Sequence, residues 1–193
     1  AGQLRRVEAL YAADPQGATP TGKATIGRAA HSITMAAIYM AIAEDLTRPY
    51  PFWSVNAPHE WFGIKVPRAG FGIDNPDNVY SPIRIEGGVR YEVGGRIRQP
   101  GPVELHFELR DSVPGTGPIV AEAGQQLATL RSDEIAVQPD GSFVITIDSD
   151  PVAGRTNHIA TPASGSFHMS VRQLFTDWGT QNPISLEVVR LSG

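Results

Sequence analysis

Val103-Glu104-Leu105-His106-Phe107-Glu108-Leu109-Arg110 alternates apolar and polar side chains without a break. A period of two puts Val103, Leu105, Phe107 and Leu109 on one face and Glu104, His106, Glu108 and Arg110 on the other. That is the pattern of a strand with one face on a core. The same reading extends outward in both directions. Val79 to Ile85, Val89 to Val93, Phe143 to Ile147, Phe167 to Val171 and Ile184 to Leu191 read as strands, and Leu127 to Ile135 as one or two more. Glu86-Gly87-Gly88, Gln99-Pro100-Gly101-Pro102 and Gln138-Pro139-Asp140-Gly141 are turn sequences. Gly94-Gly95 predicts a bulge before a short Arg96 to Arg98 extension. Asp111 to Pro118 reads as a loop and Ser149 to Ser164 as irregular. Short strands with no helix between them predict a mainly β chain, an antiparallel β-sandwich of jelly-roll or Greek-key type.

Upstream of this region the pattern changes. Leu4, Val7, Leu10 and Tyr11 recur at helical spacing, which predicts a helix over 3–13 that Asp14-Pro15-Gln16-Gly17 ends. Pro20 is expected to keep the chain extended and Thr21 to cap a second helix over 23–46. That helix is apolar on most of its girth, through Ile26, Ala30, Ile33, Ala37, Met40 and Ala41 beside Met35, Ile38 and Ile42. Such a helix is buried on several sides, against the sandwich or against a domain or subunit outside this chain. Arg48 to Phe71 is rich in Pro, Gly and aromatics and predicts an ordered irregular connector with its rings on the core. The organisation expected is a helical segment over 1–48, a connector over 49–78 and a β-sandwich over 79–193.

With 193 residues the chain has the length for one domain, or one with an appendage. A net charge of -4 lacks the basic balance of a general nucleic-acid binder. The absence of cysteine removes disulfides, thiolate metal sites and cysteine nucleophiles, and leaves the compartment open. The longest apolar run, Ile33 to Ala43, is too short to span a bilayer and predicts a soluble protein. The opening Ala1-Gly2-Gln3-Leu4 reads as the interior of a processed or longer protein.

The candidate site residues fall in two constellations. In Asp74-Asn75-Pro76-Asp77-Asn78-Val79-Tyr80, Asp74 or Asp77 can act as general acid or base, while Asn75, Asn78 and Tyr80 orient a ligand. The same residues also suit a tight corner, because Asp and Asn bond their own backbone and Pro76 presets a turn. In Val171-Arg172-Gln173-Leu174-Phe175-Thr176-Asp177-Trp178, Arg172 can anchor a carboxylate or carbonyl with its planar fork, beside Asp177 and Trp178. It can equally form a structural pair, with Trp178 closing one end of the core. His106 and Glu108 share a strand face, but the histidines show no metal-ligand spacing. No metal or cofactor is expected, and no nucleophile elbow, phosphate loop or dinucleotide fingerprint is present.

Together with Tyr91-Glu92-Val93-Gly94-Gly95-Arg96 and Asp140-Gly141-Ser142-Phe143, these constellations follow an order that resembles the bacterial domain of unknown function 1214. The likeness covers about residues 70 to 192, and the two helices resemble the segment that often precedes that domain. Where the family often has Asn-Trp-Leu, this chain has Asn157-His158-Ile159. The resemblance implies a jelly-roll-like sandwich, commonly the C-terminal part of a longer bacterial protein, and it brings no mechanism.

The function expected from these observations is a module that binds a carbohydrate or small organic molecule at a polar, aromatic-rich rim. The alternatives are a hydrolase or lyase using Asp74 or Asp77 with His106 and Arg172, and a structural domain that self-associates or docks an upstream domain through the apolar second helix. No nucleic-acid partner is expected.

Overall fold

The computed structural model describes residues 2–71, 74–113 and 124–192. The chain divides into two units, Ala1–Ile42 with Ser54–Asn75 and Ala43–Trp53 with Pro76–Gly193.

In the first unit α1 (Gly2–Ala13) packs on α2 (Pro20–Ile42). The cap of α2 is Thr19, not Thr21: its Oγ1 accepts from the Gly22 amide at 3.0 Å. Pro20 is therefore the first helical residue rather than an extended one, a place where its missing N–H costs nothing. The helix ends at Ile42, short of the expected Leu46. Glu44 and Asp45 are disfavoured at the negative end of a helix dipole. Asp45 instead makes a turn, accepting from the Thr47 amide at 2.9 Å and hydroxyl at 2.6 Å. Ala30, Ser32 and Ala36 are buried, whereas Ile38 and Ile42 are 45% and 70% exposed.

The aromatic connector is not irregular throughout, and its rings do not all lie on a core. It contains an antiparallel hairpin, β1 (His59–Trp61) and β2 (Ile64–Val66), with Trp61 opposite Ile64. Phe62 and Gly63 turn it with φ of 50 and 75, the left-handed pair of a two-residue hairpin. Trp61 and Phe62 are 65% and 87% exposed.

The second unit holds eight strands among the described residues: β3 (Asn78–Glu86), β4 (Arg90–Arg96), β5 (Glu104–Arg110), β6 (Gln126–Arg131), β7 (Ser142–Asp148), β8 (His158–Ala160), β9 (Ser166–Leu174) and β10 (Ser185–Ser192). They form two four-stranded sheets, ordered β3-β9-β5-β6 and β10-β4-β7-β8. All neighbours are antiparallel except β7 and β8. Ile83, Leu105, Phe107, Leu109, Met169 and Val171 of the first sheet share one core with Tyr91, Val93, Phe143, Ile145 and Ile147 of the second. Phe107 and Phe143 meet edge to face at 6.0 Å across it. Arg190 Nη1 donates to Leu46 O at 2.8 Å and to Glu86 at 2.7 Å, which fastens part of the 43–53 segment to the sandwich.

Several local expectations differ from the structure. Gly94 and Gly95 pair regularly with β10 and β7 and form no bulge. Gly95 answers a packing demand: a Cβ there would overlap the Phe143 ring. The ladder breaks instead between Leu109 and Arg110 and between Arg190 and Ser192. Leu127 to Ile135 holds one strand, β6, which stops at Arg131. The 149–164 stretch is not wholly irregular, since it contains β8. The loop expected over 111–118 lies partly outside the described residues.

Candidate functional site

Alternation fixes which side chains leave the core, and register fixes which of them meet. On the outer face of β3-β9-β5-β6, Tyr80 lies opposite Arg172, and Arg172 opposite His106. Two residues along, Pro82, Ser170 and Glu108 form the next row, followed by Arg84, His168 and Arg110. Asn78 precedes Tyr80 on the same face and is 8% exposed; its amide donates to the Tyr80 hydroxyl at 3.1 Å.

His106 lies between two carboxylates of its own strand. Its Nε2 is 2.7 Å from Glu104 and its Nδ1 is 3.7 Å from Glu108. Arg172 Nη2 approaches Nδ1 at 3.4 Å. The tautomer protonated on Nε2 fits both short contacts, donating to Glu104 and accepting from Arg172. Arg172 is half-buried and makes no ion pair with any described carboxylate. A guanidinium taken partly out of water without a counter-charge is a cost unless something supplies one.

Buried polar atoms without a partner gather on this face. They are Asn78 Oδ1, Arg84 Nε, Thr129 Oγ1 and His168 Nδ1; among the described residues the others, Thr34 Oγ1, Thr161 Oγ1 and Gln173 Nε2, are scattered. Such atoms are rare in folded proteins, and each calls for a water, an ion or a ligand to complete its bonding.

The structure brings together Asn78, Tyr80, His106 and Arg172, and puts the other candidates to different uses. Asp74 and Asn75 belong to the first unit. Asp74 accepts from the Phe71 amide at 2.9 Å and pairs with Arg68 at 3.6 Å, fixing its own corner. Asp77 is exposed, and its carbonyl accepts from the Phe175 amide at 2.8 Å, extending the β3–β9 ladder. Asp177 accepts from the Gly179 amide and the Thr180 hydroxyl, each at 2.8 Å. The Thr180 hydroxyl, then the Gly179 amide, hold its carboxyl below the usual carboxylate range. Trp178 stacks on buried Phe175 at 4.5 Å between ring centres. These two residues thus shape the corner after β9.

Sequence reasoning missed a polar cluster on the outer face of the other sheet. Arg155 grips Asp148 with two bonds, at 3.0 and 3.1 Å. His158 Nδ1 meets the Thr146 hydroxyl at 3.0 Å and its Nε2 meets Asp150 O at 3.1 Å. The Arg155 bonds hold the Asp148 carboxyl below its ordinary range, against the opposing effect of burial. The signal available was the polar alternation of Thr146 and Asp148; nothing local indicated that β8 would return parallel to them.

A shallow cleft of about 510 Å³ lies elsewhere, lined by Arg96, Arg98, Gln99, Gln138 and Asp140 among others. It contains none of the candidate residues. Its carboxylate is already engaged by Arg96 at 2.8 Å and by the Ser142 hydroxyl, and its rim is solvated, so its chemistry is less demanding than that of the β3-β9-β5-β6 face. Among the described residues no group of three or more metal-ligating side chains is arranged to hold an ion, and no helix is long and apolar enough to cross a membrane.

No protein-family model matches this chain, and no curated protein does. Its fold is similar to the crystal structure of an uncharacterised protein from Burkholderia cenocepacia, at 24% identity and a TM-score of 0.76. The match covers 98% of this chain and 48% of that one, so the chain spans about half the length of that protein. At that identity the likeness speaks for the fold alone.

Proposed function

We propose that the β-sandwich is a binding module for a small polar molecule, a sugar or small organic acid, held on the outer face of β3-β9-β5-β6. The observation that carries this reading is half-buried Arg172, without a carboxylate partner among the described residues, in one cross-strand row with Tyr80 and His106. Its fork suits a carboxylate or a pair of hydroxyls. Asn78 Oδ1, buried and without a partner among the described residues, offers an acceptor for a ligand hydroxyl. A thermal-shift screen of neutral sugars, sugar acids and small carboxylic acids tests it. At least one acid should raise the Tm of the wild type and leave Arg172→Gln unmoved. A screen without a hit, or hits that Arg172→Gln retains, would remove the reading.

One observation favours a second reading, a hydrolase or lyase. The 2.7 Å contact of His106 with Glu104 gives a base held by a carboxylate, opposite a cation able to take substrate charge. The partner acid in that reading is Glu104 and not Asp74 or Asp77. Turnover of a bound sugar acid that is lost in both His106→Gln and Glu104→Gln would establish it.

The strand orders also support a jelly-roll reading of the sandwich, because successive strands cross repeatedly between the sheets. Membership of the bacterial domain of unknown function 1214 fits the same reading, and rests on the order of the motifs quoted above.

A further inference from the structure

Arg84, His168 and Arg110 form the row farthest from Tyr80 that still spans three strands, about 13 Å along the sheet from Arg172 at the usual rise per residue. His168 is 4% exposed, and among the described residues its buried Nδ1 has no hydrogen-bond partner. A neutral imidazole carries one donor and one acceptor, and burying Nδ1 unused is a net cost. On its β3 side, Arg84 donates to the Ser166 hydroxyl at 2.7 Å, and among the described residues it has no carboxylate partner and its buried Nε has no acceptor. On its β5 side, Arg110 bonds Gly124 O at 2.8 Å and Glu108 at 3.0 Å. The row therefore carries two guanidiniums against one carboxylate, with spare donors on the uncompensated side.

We propose that this row is a binding site for a small tetrahedral oxyanion, free phosphate or the phosphoryl group of a larger molecule. Donors from three adjacent strands, about 10 Å apart from first to last, exceed what one planar carboxylate uses. A tetrahedral group presents oxygens in several directions and takes a bond from each strand. The buried imidazole then donates to the anion, and the Arg84 charge gains its counter-ion. Burial first, and then the positive charges of Arg84 and Arg110, push the His168 pKa down to about 4, so that the ring is neutral at ordinary pH and keeps an N–H for the anion without adding a third charge. The site is separate from the row of Arg172 and does not depend on the function proposed there.

Titration of the full chain with inorganic phosphate tests the assignment, read by Tm, by calorimetry and by the ring nitrogens of His168 in 15N NMR. Saturable binding should shift the His168 ring signals, and Arg84→Gln and Arg110→Gln should each weaken it about tenfold or more, the loss of one charge-assisted pair. Arg172→Gln should leave it unchanged. Phosphate with no saturable effect overturns the proposal, as does binding that survives both Arg84→Gln and Arg110→Gln or disappears in Arg172→Gln. If a variant fails to fold, the wild-type His168 signals decide alone: a saturable shift supports the site and an unmoved ring removes it. Adding a phosphorylated sugar in a second titration separates the two sources of the anion, because free phosphate then competes for the same His168 shift.

Discussion

His158 and His168 are almost equally buried, at 5% and 4% exposed, on the outer faces of opposite sheets, and their surroundings differ in kind. His158 has a partner for each ring nitrogen, Thr146 on one side and Asp150 O on the other, inside a cluster anchored by Asp148 and Arg155. His168 has two arginines for neighbours and, among the described residues, no partner for its buried Nδ1. The first face has closed its polar groups on one another and uses them to hold the 149–157 segment to β7. The second has left Arg172, Arg84, His168 and Asn78 incompletely satisfied. A closed network is accounted for by the local structure it fastens, whereas an open one is a place to look for a ligand.

That contrast can be broken most directly at Asp148. Asp148→Ala strips Arg155 of its bidentate partner and removes the cap on the Asp150 amide. It should cost about 3–4 kcal/mol in urea unfolding. A cost below about 1 kcal/mol would mean that the closed face is not structural.

Next in size is the pH dependence set by His168. The folded state holds the ring neutral down to about pH 4, whereas the unfolded chain takes a proton near 6.5. The folded pKa is depressed, so this contribution is intact above about pH 6.5 and is lost as the pH falls towards 4. The loss should approach about 3 kcal/mol, and it should be absent in His168→Leu. Asp148 adds a further loss that begins as the pH falls through the ordinary carboxylate range, where the unfolded chain takes up the proton, and continues below it, because its folded pKa is lowered. Equal slopes between pH 6.5 and 4 in wild type and His168→Leu would contradict the environment described for His168.

Trp178→Ala should cost about 1–2 kcal/mol by removing the stack on Phe175, without weakening any ligand held by Arg172. Loss of binding with unchanged stability would return Trp178 to the site. The smallest effect is expected at Arg172: Arg172→Gln should change stability by no more than about 1 kcal/mol, since the side chain has no ion pair among the described residues to lose.

Much of the sandwich was legible because its strands alternate cleanly. Leu105, Phe107 and Leu109 face the core and Glu104, His106, Glu108 and Arg110 leave it, as the period of two requires. The candidate site was legible as faces and not as rows. His106 and Arg172 are 66 residues apart, and only the β5–β9 register makes them neighbours. β8 carries three residues and no alternation to read, so the Asp148 cluster stayed hidden. Phe62-Gly63 concealed a hairpin turn because Phe is a poor signal for a positive φ. Gly95 suggested a bulge, where the actual demand came from the distant Phe143 ring. Asp74 and Asp77, three positions apart, were grouped by proximity in sequence; the chain assigns them to different units.

The most direct measurement is backbone amide chemical-shift mapping by NMR during titration with the acid that raises the Tm most. The account predicts the largest changes at Tyr80, His106 and Arg172 and along the strands that carry them. Changes centred on the Arg98–Gln138 cleft or on β7 and β8, with those three residues unmoved, would contradict it.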